Sequence, residues 1–388
     1  MGRAVTRESD GPGCESLESS ESPESSDSPE SLESSESLES SDSPRVLCAG
    51  HVNWDVTMQV DRLPEPDGER PIEHLRQSGG GSAANVAAGL SGLAVESVLF
   101  GSVGDDDPGT LTRRELDRAG VDCDPVLVAS ARSTSVKYLI VDAAGEVMVL
   151  SAAGANEAYA AADFPVARLD ALDHLHLTGQ DPTVATDLAR TAADHDVAVS
   201  FDPGRRIGDR GYASAFDHVD VLLVNRREAA PLEESGFDAA APDAPALVVK
   251  LGSEGAAVRR PNADRVVAPA FPVDPVDTTG AGDAFAAGFI AACFESARGH
   301  EPEIGTEIAA DAVSGDASSH DGVPGTTAPH LRNADLAYAL RIGNAAGALA
   351  TLEYGARTTL TWDRIDAFID EHGTATEAGT GTDREPTA

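Results

Sequence analysis

Short apolar segments alternate with alanine-rich stretches along most of this chain, and the alternation limits the possible folds more than any other feature of the sequence. In the alanine-rich stretches 81–93 and 331–353, apolar residues recur at helical spacing, so we expect helices there. The pattern is typical of a layered α/β fold with helices on both faces of a sheet. The predicted strands are residues 45–50, 97–103, 173–178, 197–202, 219–225, 246–251 and 256–260.

Two segments interrupt this alternation. Residues 57–78 and 126–151 have the pattern of hairpins, with glycine-containing turns at positions 67–68 and 144–145. We expect these two segments to form a small second sheet.

Three acidic segments lack the pattern of a folded core. Residues 15–44 repeat a triplet in which an acid followed by serine recurs at every third position, so we expect residues 1–44 to be disordered. This repeat is either a solvating or interaction arm, or a repeat expansion or a start codon placed too early. Residues 298–330 predict an acidic surface insertion, and residues 373–388 predict a disordered tail.

The charge of the chain excludes some partners. Lysine and arginine number 28 against 66 acids, giving a net charge of −38, which repels nucleic acid and anionic membranes. Only Lys137 and Lys250 are lysines. An acidic, lysine-poor chain suits a cytoplasm in which salt screens its self-repulsion, as in a halophile such as a haloarchaeon. The four cysteines are scattered and no long apolar run occurs, so we expect a cytoplasmic protein without a disulfide framework, zinc site or membrane span.

The most informative motif is the stretch Asp277-Thr-Thr-Gly-Ala-Gly-Asp283, which leads into an alanine-rich apolar helix. Gly280 and Gly282 permit a tight turn, and the positive end of the following helix favours a bound anion. Neither a P-loop nor a dinucleotide fingerprint is present. Asp283 would accept a proton from an attacking hydroxyl or, alternatively, cap the helix, and the helix end should lower its pKa.

Two motifs carry a family resemblance. The stretch D-T-T-G-A-G-D-A-F resembles the C-terminal signature of the PfkB, or ribokinase-like, carbohydrate kinases, and Gly-Gly-Gly-Ser-Ala-Ala-Asn at 79–85 resembles their N-terminal signature. The resemblance covers the chain from about position 44 to 372, apart from the 298–330 insertion. It implies a three-layer αβα sandwich, with a mostly parallel central sheet, as a kinase domain at 45–372. It also implies a small β-clasp lid built from the two hairpin segments.

The resemblance implies a role for each residue of the glycine turn. Asp283 would be the catalytic base, and the amides of Gly280, Ala281 and Gly282 would stabilise charge on the transferring phosphoryl group.

The resemblance also implies a sugar site. Asn53 and Asp55 follow the first strand and match substrate-binding positions of the family, where an amide and a carboxylate suit vicinal hydroxyls. Alternatively, both are turn-forming residues. Further expected substrate contacts are Gly80, Gly81, Asn85 and Asn156.

A nucleotide site is implied next to it. Asn225 and Glu228 match the family's N-x-x-E motif, which orders Mg²⁺ through waters, although Glu228 also suits a solvated helix start. Lys250, one of the two lysines, is expected near a phosphate. The remaining matches are Gly252 and Gly255 beside the nucleotide, Asn344 near the adenine, and Asp277, where many relatives bind a monovalent cation such as K⁺.

Two further pairs of polar side chains are candidates for a function. His174 and His176 alternate with leucines along a predicted strand, but without a third ligand we expect them to be structural rather than metal-binding. Arg205 and Arg206 follow Phe-Asp-Pro-Gly, where relatives often carry Asp-Pro-Asn, and this pair could recognise a substrate that already bears a phosphate.

The sequence therefore predicts an ATP-dependent sugar kinase that requires Mg²⁺, with K⁺ as a further candidate, and acts on ribose, fructose or a 2-keto-3-deoxy sugar acid. Three alternatives stay open: a nucleoside kinase, a sugar-phosphate kinase and a catalytically silent sugar-binding protein. The aromatic content of 4%, with Tyr138 in the lid, weighs against nucleosides, while Lys137 or the arginine pair could supply a basic cluster for a sugar phosphate. A homodimer formed through the lid is a further candidate.

Overall fold

A computed structural model describes residues 43–65, 67–143, 147–298, 323, 326 and 328–373. The predictions for the acidic repeat, most of the acidic insertion, the C-terminal tail and the 144–145 turn fall almost entirely outside these residues. The prediction of a surface insertion is wrong at the end of the 298–330 segment, where Val323, Ala328 and His330 are buried.

Nine strands of the described chain form one large sheet, in the order β13-β12-β11-β10-β9-β8-β1-β4-β5. The seven strands from β11 to β5 run parallel, while β12 and β13 are antiparallel additions at one edge. All seven predicted core strands are present. The nine strands are β1 (Arg45–Ala49), β4 (Glu96–Gly104), β5 (Val126–Ala129), β8 (His174–Thr178), β9 (Ala198–Asp202), β10 (Val221–Asn225), β11 (Ala246–Lys250), β12 (Ala256–Arg259) and β13 (Val266–Ala268).

Helices cover both faces of this sheet, because its strands are apolar on both sides. In β1, Val46 and Cys48 pack on the side of α1, α6 and α8, whereas Leu47 and Ala49 pack on the side of α3. None of the described helices is long and apolar enough to cross a membrane. The helices are α1 (Ser82–Gly92), α2 (Asp107–Arg118), α3 (Pro182–Asp194), α4 (Ala213–Phe216), α5 (Arg226–Glu234), α6 (Ala281–Ala297), α7 (Pro329–Arg332), α8 (Leu336–Thr351) and α9 (Trp362–His372).

Helix α6 is buried along most of its length against α8. Small residues permit this close packing, since a Cβ added to Gly288 would lie 2.9 Å from the Cβ of Ala346. The packing fixes the N-terminus of α6 over the carboxyl end of the sheet.

A second sheet has the order β3-β2-β6-β7 and is formed by β2 (Asn53–Gln59), β3 (His74–Gly80), β6 (Ser135–Val141) and β7 (Val147–Ala152). The prediction that all of 126–151 belongs to this sheet is wrong for residues 126–129. These residues pair with the second half of β4, with Val126 opposite Gly101, and so extend the large sheet. The first lid strand also begins four residues earlier than predicted, at Asn53.

A chain of hydrogen bonds crosses the core between the sheet and α7. Ser200 bonds His174 at 2.7 Å and His176 at 2.8 Å, and His174 bonds His330 at 3.1 Å. All four residues are buried. Burial lowers the pKa of each of the three histidines. The described residues contain no group of three or more side chains that could hold a metal ion, and these histidines bond one another and Ser200 within the buried core.

Candidate active site

The predicted site residues meet where the parallel strands end, beneath the N-terminus of α6. Lys250 and Asn225 are the last residues of β11 and β10, and Asp283 lies in the first turn of α6. The first lid strand supplies Asn53 and Asp55. Ligand sites of open parallel sheets occur at this edge.

The turn before α6 requires glycine. Gly280 adopts a left-handed conformation with φ of 79°, and a Cβ added there would lie 2.1 Å from the carbonyl oxygen of Ala356. The amide of Ala281 bonds the carbonyl of Thr278 at 3.3 Å. The first-turn amides of Gly282 and Asp283 have no acceptor within the helix and are available to an anion.

Asp283 does not cap the helix, so that alternative interpretation is wrong. Gly280 holds the cap position, and the carboxylate of Asp283 accepts a hydrogen bond of 2.8 Å from Asn85 Nδ2. Asp283 therefore faces the end of the glycine motif at 79–85, which lies 198 residues away along the chain.

The expectation of a lowered pKa for Asp283 is also wrong. Burial raises the pKa of this carboxyl, and the charge of Asp202 raises it further. The hydrogen bond from Asn85 and the charges of Lys250 and Lys137 act in the opposite direction and are outweighed. Asp283 is consequently a stronger base than a helix start alone would make it.

Arg357 was missed by the sequence analysis, and it organises the glycine motif. Its Nε donates to Asn85 Oδ1 at 3.1 Å, and its Nη2 donates to the carbonyl of Gly80 at 3.3 Å. Glu115 lies 3.5 Å from Arg357 Nη1 and accepts the amide of Gly79 at 2.7 Å. No motif marks Arg357, which reaches the site from beyond α8 only through the tertiary fold.

At the predicted sugar site, Asn156 and Asn53 are joined by a hydrogen bond. Asn53 Oδ1 accepts a hydrogen bond of 2.7 Å from Asn156 Nδ2, and Asn156 Oδ1 accepts one of 3.2 Å from the amide of Val52. Asn53 Nδ2 and Asp55 Oδ1 are buried and have no partner. Since buried polar groups are nearly always bonded, this unmet donor and acceptor indicate a place for a polar ligand. Both residues lie within β2, so the turn-forming alternative is wrong.

Glycines let the backbone approach this polar pair. A Cβ added to Gly80 would lie 2.1 Å from Asp55 Oδ2, and one added to Gly81 would lie 2.3 Å from the carbonyl oxygen of His51. Both positions therefore depend on glycine for close packing around Asp55.

The carboxyl groups of Asp55 and Asp283 are close enough for their charges to interact. Burial raises the pKa of Asp55, the charges of Lys137 and Arg357 lower it, and the charge of Asp283 raises it again. Two carboxylates and two cations thus surround the space between the lid strand and α6.

At the predicted nucleotide site, Lys250 lies against the glycine turn. A Cβ added to Gly282 would lie 3.3 Å from Lys250 Nζ, and this ammonium pairs with Asp202 at 2.5 Å. Burial alone would lower the pKa of Lys250, but Asp202, with help from Glu228 and Asp283, raises it. Asp202 was missed as a site residue, although it ends the predicted strand 197–202 at the ligand-binding edge.

Asn225 and Glu228 form a capping box at the start of α5. Asn225 Oδ1 accepts the amides of Arg227 at 2.8 Å and Glu228 at 3.1 Å, while Glu228 Oε2 accepts the amide of Asn225 at 2.8 Å. Glu228 is only 5% exposed, so the alternative of a solvated helix acid is wrong. Burial and then the charge of Asp202 raise the pKa of Glu228.

The outlying predicted residues shape the surrounding loops. Gly252 and Gly255 bracket the turn between β11 and β12, both with positive φ. Asn344 donates through Nδ2 to the carbonyls of Ala268 at 3.1 Å and Pro269 at 3.0 Å, which leaves only its oxygen for a ligand.

Asp277 ties together the two loops beside Gly280. Its Oδ1 accepts the amide of Thr279 and its Oδ2 accepts the amide of Gly355, each at 2.9 Å. These bonds fix the loop whose Ala356 carbonyl packs on Gly280.

The chain is similar to known carbohydrate kinases over most of its length. The model of the pfkB family carbohydrate kinases matches residues 43–363. An "ATP-dependent ribose-1-phosphate kinase" from Halopiger xanaduensis is 47% identical over 84% of this chain and 98% of the relative.

Solved structures share the fold. The nucleoside kinase of Methanocaldococcus jannaschii, an archaeal member of the ribokinase family, has a TM-score of 0.65 at 22% identity, covering 84% of this chain and 98% of its own. The ribokinase of Arabidopsis thaliana, solved with ribose and ATP, has a TM-score of 0.64 at 19% identity and the same coverage. The fold is thus the ribokinase fold, and the chain belongs to the pfkB family of carbohydrate kinases, as an ATP-dependent phosphotransferase with an alcohol group as acceptor.

Proposed function

We propose that this kinase transfers the γ-phosphoryl group of ATP to a hydroxyl group of a pentose that already carries a phosphate. The acceptor would be of the class named for the Halopiger relative, ribose 1-phosphate. The identity of 47% over nearly the whole relative supports this class over a free sugar.

The observation that carries the proposed chemistry is the position of Asp283 beside the free amides of α6. In the proposed step, the acceptor hydroxyl gives its proton to the Asp283 carboxylate, its oxygen bonds the γ-phosphorus, and the bond to ADP breaks. The amide of Gly282 and the ammonium of Lys250 would stabilise negative charge on the transferring group.

The unmet polar atoms of the lid strand would bind the sugar. Asn53 Nδ2 would donate to one hydroxyl, and Asp55 Oδ1 would accept from a neighbouring one. Asn85 would position Asp283 through their hydrogen bond.

Mg²⁺ carried by ATP would neutralise phosphate charge. Glu228 and Asp202 offer the carboxylate oxygens that this ion prefers, and with no cluster of three ligands in the described chain, binding through waters and phosphates suits the site. Asp277 is the candidate for K⁺, since each of its oxygens accepts a single amide and keeps a free lone pair.

A nucleoside acceptor is less well supported. Neighbours across a sheet share a face, so Lys137 lies on the face of its partner Asp55, and Tyr138 lies on the opposite face with its partner Val56. Trp54 also lies on that opposite face, where it bonds Gln77. The described lid strands therefore offer no aromatic ring for a base to stack on.

The test is ADP release with a panel of acceptors, namely ribose 1-phosphate, ribose, fructose, a 2-keto-3-deoxy sugar acid and nucleosides. Molar KCl is the medium, because the acidic composition supports a salt-rich cytoplasm as the proposed location. We expect the highest kcat/KM with ribose 1-phosphate. A higher value with a free sugar or a nucleoside would contradict the proposed acceptor, and sugar binding without ADP release would indicate a silent protein.

A further inference from the structure

We infer that Arg206 and Arg210, held by Glu157, form together with Lys137 the subsite that binds the phosphate already present on the acceptor. This inference rests on the proposed function and extends it to the residues that select a phosphomonoester.

Three donors converge on a single carboxylate oxygen. Glu157 Oε1 lies 2.7 Å from Arg210 Nη2, 3.2 Å from His51 Nε2 and 3.5 Å from Arg206 Nη2. The hydrogen bond from His51, and then that from Arg210, lower the pKa of Glu157 to about 2. Glu157 is therefore ionised at any working pH and serves to orient its cationic neighbours.

His51 holds Glu157 in place by a hydrogen bond and does not add charge to this cluster. A carboxylate only accepts hydrogen bonds, so Nε2 of His51 carries the proton. Burial lowers the pKa of His51, which keeps the imidazole neutral. Its contribution is to position Glu157.

The cluster around Glu157 lies next to the proposed sugar site, because residues of the two are neighbours in the sequence. Glu157 follows Asn156, which bonds Asn53, and the carbonyl of His51 packs on Gly81. Lys137 lies opposite Asp55 in the paired strands β6 and β2, and its charge also acts on His51.

The positive charges of this cluster outnumber the negative charge of Glu157. Arg206 is 54% exposed and makes only the 3.5 Å contact, so most of its donors are free. Arg210 is 16% exposed and is also tied to the carbonyl of Gln180. Within the described residues, Lys137 has no acid within ion-pairing distance. Two guanidinium groups against the single carboxylate of Glu157 leave a net positive charge at this cluster, in a chain whose total is −38.

A phosphomonoester dianion matches this surplus. Guanidinium groups bind phosphate oxygens through paired donors, and such charge-assisted hydrogen bonds are among the strongest available to a protein. A neutral sugar would leave the free donors of Arg206 in water. The subsite therefore favours a phosphorylated acceptor over the free sugar.

The sequence pairs Arg205 with Arg206, but the structure separates them. Arg205 is exposed and makes no contact with Glu157. It supplies a matched control, because the same substitution at the adjacent position removes the same charge without touching the cluster.

The test compares Arg206→Gln with Arg205→Gln in ADP release from ribose 1-phosphate and from free ribose, with melting curves to verify folding. We expect Arg206→Gln to lower kcat/KM for ribose 1-phosphate roughly 10- to 100-fold, mostly through KM, and to leave that for ribose unchanged. Arg205→Gln should retain wild-type values for both acceptors. An equal loss for both acceptors, or no loss in Arg206→Gln, would overturn the inference.

A second readout separates failure of the subsite from failure of the proposed function. If the wild-type protein releases no ADP with either acceptor, the proposed function fails, and stabilisation by ribose 1-phosphate is followed by thermal melting instead. Stabilisation that Arg206→Gln loses and Arg205→Gln retains would still support the subsite. Equal stabilisation of all three proteins, or none, would refute it.

Discussion

The carboxyl group of Asp283 combines two opposing influences within a few ångströms. It sits at the positive end of α6, which favours the ionised form, yet burial and the neighbouring charge of Asp202 raise its pKa. A base with a raised pKa accepts a proton more readily, provided that it is still ionised at the working pH. Asn85 supports that condition, since its hydrogen bond stabilises the carboxylate.

Replacement Asp283→Asn should lower kcat about 10²- to 10⁴-fold, the usual contribution of a general base, while leaving the fold intact. The fold should persist because Gly280 caps α6 and an asparagine oxygen can still accept the bond from Asn85. ADP release and a melting curve measure the two effects. A variant that does not fold, or that keeps its kcat within tenfold, would contradict the assignment of Asp283 as base.

Among helices and strands, the apolar pattern of the sequence predicted those elements that form from local sequence. The seven core strands and the alanine-rich α1 and α8 are found where the apolar pattern indicates them. The lid is less accessible to such reasoning, because β2 pairs in parallel with β6 across about 80 residues of sequence, and β5 joins the large sheet by a distant pairing. No short-range signal carries that information.

The same limit applies to the site. Residues on glycine motifs could be predicted, since such motifs have few structural uses. Arg357 could not, because its role depends on which elements the fold brings together. Asp202 ends a predicted strand at the ligand-binding edge, but its pairing with Lys250 depends on the fold. The pKa direction of Asp283 failed for a related reason, as burial is a tertiary property.

Lys250 pairs with Asp202 at the strand ends, and it is also the residue proposed to face the phosphate of ATP. Lys250→Met should leave a nearly buried carboxylate unpaired and destabilise the protein by about 3 kcal/mol, while raising KM for ATP. The double variant Lys250→Met, Asp202→Asn should regain part of the stability but not the affinity for ATP. Urea unfolding and ATP titrations separate the two, and a double variant with restored KM would show that Lys250 is purely structural.

At the scale of the whole molecule, charge is the dominant feature. With 66 acids against 28 basic residues, repulsion within the folded chain is strong unless salt screens it. The Debye length falls to about 3 Å at 1 M salt, which shields all but direct neighbours.

The midpoint of thermal unfolding should therefore rise as KCl increases from low to molar concentration. Melting curves over a KCl series measure this, with NaCl as the control for a specific effect of K⁺ at Asp277. A midpoint that does not change with salt would remove the inference of adaptation to high ionic strength.

The buried histidines His174, His176 and His330 should make the folded protein less stable at acidic pH. Burial lowers the pKa of His176 to about 4 and that of His330 to about 3, whereas unfolded histidine titrates near 6.5. Below pH 6.5 these histidines are protonated in the unfolded chain but stay neutral in the folded core. The free energy of unfolding should therefore fall, as the pH decreases, by up to roughly 1.4 kcal/mol per pH unit for each histidine. His330→Gln, which keeps a partner for His174 but cannot titrate, should flatten this decline in denaturant unfolding between pH 6.5 and 4. An enzyme built around such an interior is suited to neutral surroundings, because acid destabilises its core.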